Sequence, residues 1–179
     1  MSILCDTDIR DLVVTEKLRV TPLPEHGAFQ PASLDVRLGS FVLIANPQRN
    51  NPDPGWSRMR IPPTGIWLHP HQFMLAELLE HIEVPDFIAA QISGKSSLGR
   101  VGLQVHATAG FIDPGFRGYI TLELCNWGPT AILLKPEQYI GQLVFTMLTA
   151  PCERPYGHPE LGSHYQDQRG VTPASGVLQ

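Results

Sequence analysis

Residues 93–100, "SGKSSLGR", gather two cations, Lys95 and Arg100, the adjacent hydroxyls Ser96 and Ser97, Leu98, and the glycines Gly94 and Gly99. Glycine lets backbone amides approach an anion closely and the cations supply charge, so the segment could cradle phosphate. It does not match the full Walker pattern G-x-x-x-x-G-K-[ST], because Ala89 stands where the first glycine would be, so by itself an ordinary solvated turn stays open. Downstream, "YITLELCN" (119–126) alternates: Ile120, Leu122 and Leu124 share one face of a strand and Thr121, Glu123 and Cys125 the other. The apolar face must meet a core, so Glu123 points elsewhere, either into solvent or to a place where a carboxylate can take and return protons. Between these lies "AGFIDPGFRG", in which Asp113-Pro114-Gly115 is a turn signal. An Asp there bonds its own backbone or binds a sugar hydroxyl, with the Phe116 ring against the sugar carbons.

These residues need a scaffold, and the sequence points to short strands. One helix is expected near the N-terminus, capped by Asp6 or Thr7, with Ile9, Leu12 and Val13 on one face. From Gln30 onward the period is two: "ASLDVRL", "FVLIAN", "GIWLHP", "FMLAELLEHIEV", "FIAAQIS", "LQVHAT", "YITLELCN", "AILLKP" and "GQLVFTML". In "FMLAELLEHIEV" Leu75, Leu78, Leu79 and Ile82 also fit a helical stripe, but the β-rich surroundings favour strand. Seventeen prolines and sixteen glycines mark frequent corners, so we expect an all-β, mainly antiparallel barrel or jelly roll over one core. The proline-rich stretch Asn46 to Gly65 reads as a long surface excursion. The segment from Pro155 onward is poor in aliphatics but carries Tyr156, His164, Tyr165, Gln168 and Arg169, which leaves open a disordered terminus or a lid that orders over a ligand.

Composition narrows the partners. The chain has 179 residues with 42% hydrophobic and 17% charged, enough for one domain with a real core. A formal charge of −4 gives no reason to expect a nucleic-acid polymer. No apolar run approaches the ~20 residues that span a bilayer, and "MSILCDTDIRDL" carries acids where a signal peptide carries bases, so we read a cytoplasmic protein without membrane contact. Cys5, Cys125 and Cys152 are scattered without a C-x-x-C, which argues against a disulfide framework or a structural zinc site and reads as reduced thiols. His69, His71, His81 and His158 have no motif behind them.

Taken together, "QPASLDVRLG", "SGKSSLGRVGLQVHATAGFIDPGFRGYITLELCN", "IGQL" and "PYG…SHYQDQRG" resemble the dCTP deaminase family of the trimeric dUTPase-like superfamily. The resemblance implies a distorted jelly-roll β-barrel over residues 1–179, with 152–179 as a C-terminal lid, assembled as a homotrimer whose active sites use more than one subunit. It implies deamination of dCTP without zinc; the H-x-E then P-C-x-x-C pattern of zinc deaminases is absent here. By motif position, Glu123 would be the general base and acid, Ser96 and the backbone near Ala109 would position the attacking water, and Arg100 would hold Glu123. Lys95, Ser96, Ser97, Leu98, Gly99 and Arg100 would bind phosphates, Asp113 the sugar 3′-hydroxyl, and Phe116 would close the space for a 2′-hydroxyl. Thr121, Leu122 and Glu123 would read the base, and Gln142, Tyr156 and Gln168 would also touch nucleotide. His164 stands where much of the family carries a phosphate-binding lysine, and a mostly neutral, shorter imidazole weakens that contact. Mg2+ would arrive bound to the triphosphate. dTTP would inhibit.

Family members either stop at dUTP or continue to dUMP. The single-step type tends to carry His-Arg where this chain has Gly110-Phe111, and the two-step type resembles this sequence there and in the tail "GSHYQDQRGVTP". The resemblance therefore implies a bifunctional, dUMP-forming enzyme acting on dCTP and then dUTP. The alternatives are a dUTP-forming deaminase, a dUTPase, and a dNTP sensor without turnover.

Overall fold

The computed structural model describes residues 2–46 and 55–175. Its elements are β1 (Ser2–Ile3), α1 (Asp6–Val14), β2 (Arg19–Thr21), β3 (Phe29–Gln30), β4 (Ser33–Ala45), β5 (Trp56–Arg60), β6 (Ile66–Leu68) and β7 (Phe73–Glu83). There follow β8 (Ile88–Gly94), α2 (Ser96–Gly99), β9 (Leu103–Gln104), β10 (Phe111–Ile112), β11 (Arg117–Asn126), β12 (Ile132–Leu134) and β13 (Tyr139–Met147). The main sheet runs β10-β8-β13-β4-β7-β11-β9, with every named pairing antiparallel; β12 and β6 form a small separate ribbon. The expected all-β, mainly antiparallel architecture is present, and the ambiguous "FMLAELLEHIEV" is the strand β7.

The sheet curls because its long strands are irregular. "ASLDVRL" and "FVLIAN" are one bent strand, β4, whose first half pairs with β13 and whose second half pairs with β5 and β7. Register shifts fall between Leu38 and Val42 in β4 and between Tyr119 and Thr121 in β11. Such irregularities bend a strand and increase its twist, which lets one sheet wrap around a single core. That core takes the inward positions at period two: Leu34, Val36 and Leu38 of β4, Met74, Ala76 and Leu78 of β7, and Leu122 and Leu124 of β11 are all fully buried.

Three expectations need correction. The helix cap is Cys5 rather than Asp6 or Thr7: the Cys5 N–H donates to Asp8 Oδ2 at 3.4 Å and its Sγ lies 3.0 Å from Thr7 Oγ1. Asp6 and Asp8 instead occupy the first turn, where they face the positive end of the helix dipole. In the stretch read as a surface excursion, Trp56–Arg60 pairs with β4 as an edge strand whose polar residues hid it; residues 47–54 lie outside the described residues. Finally, "LQVHAT" is a strand only at Leu103–Gln104, because beyond it the backbone amides turn to a side chain instead of a neighbouring strand.

The alternation in β11 is testable. Leu122→Ala should destabilise by about 2–5 kcal/mol, as for other fully buried leucines, while Thr121→Ala on the opposite face should cost under about 1 kcal/mol. Urea midpoints of the two variants measure this, and equal costs would contradict the assigned faces.

Candidate active site

With Leu122 and Leu124 turned into the core, β11 presents Thr121 and Glu123 on its other face. Glu123 does not stand free there. Its Oε2 accepts hydrogen bonds from the backbone N–H groups of Ala107 at 2.6 Å and Thr108 at 3.2 Å, and its own N–H donates to Val105 O at 3.1 Å. Two contacts to the carboxylate and one to the backbone of the same residue, all from residues 105–108, fix the side chain in direction and leave Oε1 for another partner.

The carboxylate lines a cavity of about 370 Å³. Its polar side is made by Thr121, Glu123, Asp113 and Gln168, with Ala109 beside them. Phe116, Tyr156 and Tyr165 close one end, and Trp56, Phe73, Leu75 and Phe111 form an apolar wall. Register explains that wall, since Leu75 of β7 lies directly opposite Glu123 and Phe73 opposite Cys125. On the far side the Asp113-Pro114-Gly115 turn closes with the Phe116 N–H donating to Asp113 O at 3.1 Å. Gly115 has φ +88°, and a Cβ there would sit 2.5 Å from Pro155 Cβ, so glycine is required both for the turn and for the tail that crosses it. The tail's Tyr156 N–H then donates to Pro114 O at 2.7 Å and its ring tilts against Phe116 at 5.8 Å.

Farther along, the tail joins the free edge of β11. Gln168 makes a parallel bridge to Gly118, the Asp167 N–H donates to Arg117 O at 2.8 Å, and Gln168 Nε2 donates to Tyr119 O. Thr121 Oγ1 accepts from the Thr172 N–H at 3.2 Å, bringing residues 172–174 over the cavity. The Arg117 guanidinium pairs with the Asp167 carboxylate, one contact being 2.8 Å, and this holds Asp167 below the usual carboxylate range and raises Arg117.

Comparison with known proteins gives these features a context. Residues 3–148 match the family model described as dCTP deaminase-like. The chain belongs to the dCTP deaminase-like family. A Mycolicibacterium smegmatis protein named "dCTP deaminase, dUMP-forming" is 44% identical over 184 residues, covering 98% of this chain and 97% of that protein. A Corynebacterium jeikeium protein of the same name is 43% identical over 184 residues, again covering 98% and 97%. In fold, the chain is similar to a 2′-deoxycytidine 5′-triphosphate deaminase structure from Agrobacterium tumefaciens, with a TM-score of 0.67 at 24% identity over 81% of this chain. It spans about half that longer chain, 47%. Staphylococcus bacteriophage 80alpha dUTPase is a more distant fold neighbour, with a TM-score of 0.53 at 13% identity, over 76% of this chain and 94% of that one.

Against the family motifs, the chain divides the expected residues in two. Ala109, Phe111, Asp113, Phe116, Thr121, Glu123, Tyr156 and Gln168 share the cavity. Leu122 is fully buried and does not line the cavity, and Gly110 packs against His106 with no room for a side chain. The second group sits elsewhere. Lys95 pairs with the buried Asp35 of β4, and Gln142, opposite Asp35 in β13, accepts from Ser33 Oγ at 3.0 Å. The single turn α2 presents Ser96, Ser97, Gly99 and Arg100 to solvent, with Leu98 partly buried; none of these lines the cavity. His164 is exposed and lines an adjoining depression with Asp113 and Arg154.

Sequence reasoning did not find the anchoring amides of Ala107 and Thr108, the Trp56–Phe73–Leu75 wall, or Thr172, although it did single out Tyr165 in the tail. Backbone donors carry no residue signature. The wall was half visible, because Phe73 and Leu75 alternate with buried Met74, but which strand they face is set by pairing register.

The Arg117–Asp167 pair yields a prediction for the tail. Asp167 has a lowered folded-state value, so its contribution is complete above the unfolded carboxyl value of about 3.9, declines as pH falls from there, and is gone below the folded value. Exchange of the Gln168 amide should therefore be insensitive to pairing changes between pH 6 and 8 once intrinsic rates are removed, and should accelerate in Asp167→Ala or at 1 M salt. Equal protection in wild type and Asp167→Ala would show that the pair does not hold the tail.

Proposed function

We propose that this protein converts dCTP to dUMP, with two waters consumed and ammonia and pyrophosphate released. The observation that carries the reading is Glu123, held by two backbone amides on the wall of a cavity that also presents Asp113 and Phe116. The relatives named dUMP-forming, at 43–44% identity over nearly the whole chain, support the same activity.

In the first step Glu123 takes a proton from water as its oxygen adds to C4 of cytosine, and passes that proton to N3. Glu123 then carries the proton of the new C4 hydroxyl to the exocyclic amine, the C4–N4 bond breaks as C4=O forms, and ammonia leaves to give uracil. Ser96 and the backbone at Ala109 orient the water, and Arg100 faces Glu123. Thr121, the Leu122 backbone and Gln168 meet the base edge, Asp113 accepts from the 3′-hydroxyl, and Phe116 packs beneath the sugar. In the second step water attacks the α-phosphorus, the bond to the bridging oxygen breaks, and pyrophosphate departs. Gly110 and Phe111 leave that approach free of the bulky cations that His-Arg would place there, with Asp113 orienting the water.

The separation of Ser96, Arg100, Lys95 and Gln142 from the Glu123 cavity supports a shared site. In a homotrimer, α2 and the Lys95–Gln142 region of one copy can face the cavity of the next, bringing the phosphate cradle to the base pocket. Residues 1–179 then act as one domain with 152–179 as lid. Mg2+ would arrive on the nucleotide's own phosphates and would neutralise part of their charge. dTTP competes for the same pocket. Free nucleotides as substrates place the work in the cytoplasm, and among the described residues no helix is long and apolar enough to cross a membrane.

Two experiments test this. Purified protein with dCTP and magnesium should yield dUMP, ammonia and pyrophosphate by chromatography, and Glu123→Gln should lose about 10²–10⁴-fold in ammonia release. Accumulating dUTP would reject the two-step reading, and unchanged turnover in Glu123→Gln would reject the role of Glu123. Glu123→Gln and Arg100→Ala, each inactive alone, should regain activity when co-refolded, because about one site in four of a randomly mixed cyclic trimer combines both intact residues. No recovery would exclude the shared site.

A further inference from the structure

β7 carries a second carboxylate on the same face as Glu123. Glu77 lies directly opposite Thr121, one inward–outward repeat from Leu75, and is only 8% exposed. It is not part of the cavity lining, because the tail covers it: Glu77 Oε2 accepts a hydrogen bond from the Val171 N–H at 2.9 Å. The next tail amide, Thr172 N–H, donates to Thr121 Oγ1 on the facing strand. Adjacent amides of the tail are thus held by the two members of one cross-strand pair.

The surroundings of Glu77 are shaped for this contact. Its Cγ lies where a Cβ on Gly39 would fall, so only glycine at the bend of β4 lets the side chain pass. On the other side Gly170, at φ +75°, would place a Cβ 2.8 Å from Oε2, so only glycine lets the tail come close enough for the next residue's amide to reach the carboxylate. Val171 then buries its side chain against Leu43 and Leu75, and Leu75 itself lines the cavity opposite Glu123. Among the described residues no Lys, Arg or His nitrogen lies within 4.0 Å of the Glu77 carboxylate. Its hydrogen-bonding partner among them is an amide delivered by the docked tail.

We propose that Glu77 is a positioning residue for the nucleotide site, which latches the tail at Val171 and so sets residues 172–174 as the wall that retains the bound nucleotide. This rests on the function proposed above. The latch also gives the two carboxylates of this face different fates: Glu77 is covered by the tail, and Glu123 stays on the cavity wall. A charge-assisted contact of this kind, released when the tail lifts, should appear chiefly as retention of ligand rather than as chemistry.

The test combines hydrogen exchange of the free full-length protein with steady-state kinetics on dCTP. In Glu77→Ala the Val171 and Thr172 amides should exchange about tenfold faster while the Leu122 and Leu124 amides keep their protection, and KM should rise about tenfold with kcat changed by less than about threefold. Glu77→Gln keeps an oxygen acceptor and should restore most of both quantities. Unchanged exchange at Val171 overturns the latch, and an equal acceleration at Leu122 assigns Glu77 to general stability instead. Local acceleration with an unaltered KM overturns its role in retaining nucleotide. A wild-type protein inert towards dCTP would sink the functional reading, and the exchange data would still decide the latch.

Discussion

The contact on which the site depends is the one between Glu123 and the 107–108 amides, and that contact depends in turn on strand parity. β11 has Leu122 and Leu124 with no exposure, so the parity of the whole strand is set by the apolar area that these side chains remove from water. A slip of one residue would turn two leucines to solvent and Glu123 into the core, where an unpaired carboxylate is costly. Burial of the leucines thus decides which way the acid points. The loop then decides how it is held, since two N–H groups that could have extended β9 along β11 donate to the carboxylate instead.

The same pairing organises what surrounds the acid. β7 lies alongside β11 with Phe73, Leu75 and Glu77 opposite Cys125, Glu123 and Thr121, so one ladder supplies an apolar wall, the carboxylate on the cavity wall and anchors for the tail. The bulge between Tyr119 and Thr121 lies where the tail arrives, and beyond it Gly118 and Tyr119 pair with Gln168 instead of with β9. A sheet edge that would otherwise be open is covered, and the covering segment is the one that closes the cavity.

Much of this was legible in the sequence, for identifiable reasons. Period-two runs such as Ile120 to Leu124 state both strand and face, and Asp113-Pro114-Gly115 states a turn, because these signals are local. What was not legible depended on distant partners or on backbone. Nothing local says that "ASLDVRL" and "FVLIAN" are one strand, since Gly39 and Ser40 look like a corner; the chain bends there but keeps pairing because Gly39 leaves space for Glu77. Cys5 as a cap could not be read from residue preference, as a thiol is not a usual capping group, and it was the fold-back of Asp8 that decided it. Trp56–Arg60 read as loop because an edge strand with largely exposed side chains has no apolar face to show.

The division of the candidate residues has its own electrostatic logic. Lys95 is committed to Asp35, and Arg100 stands in solvent at the end of α2, so the chain alone leaves these two cations away from the Glu123 cavity. A cation beside Glu123 would otherwise compete with the amides of Ala107 and Thr108 for the same carboxylate whether or not nucleotide were present. If a neighbouring copy supplies the cations, the carboxylate can be oriented by fixed backbone dipoles first and meet a charge only across an interface. The acid's direction is then a property of the fold, and its charge environment a property of assembly and of the bound triphosphate. The tail acts on the cavity through hydrogen bonds to Thr121 and Glu77, and under the shared-site proposal a neighbour would act through Arg100 and Lys95. Loss of either would leave Glu123 where it is and change only what it faces.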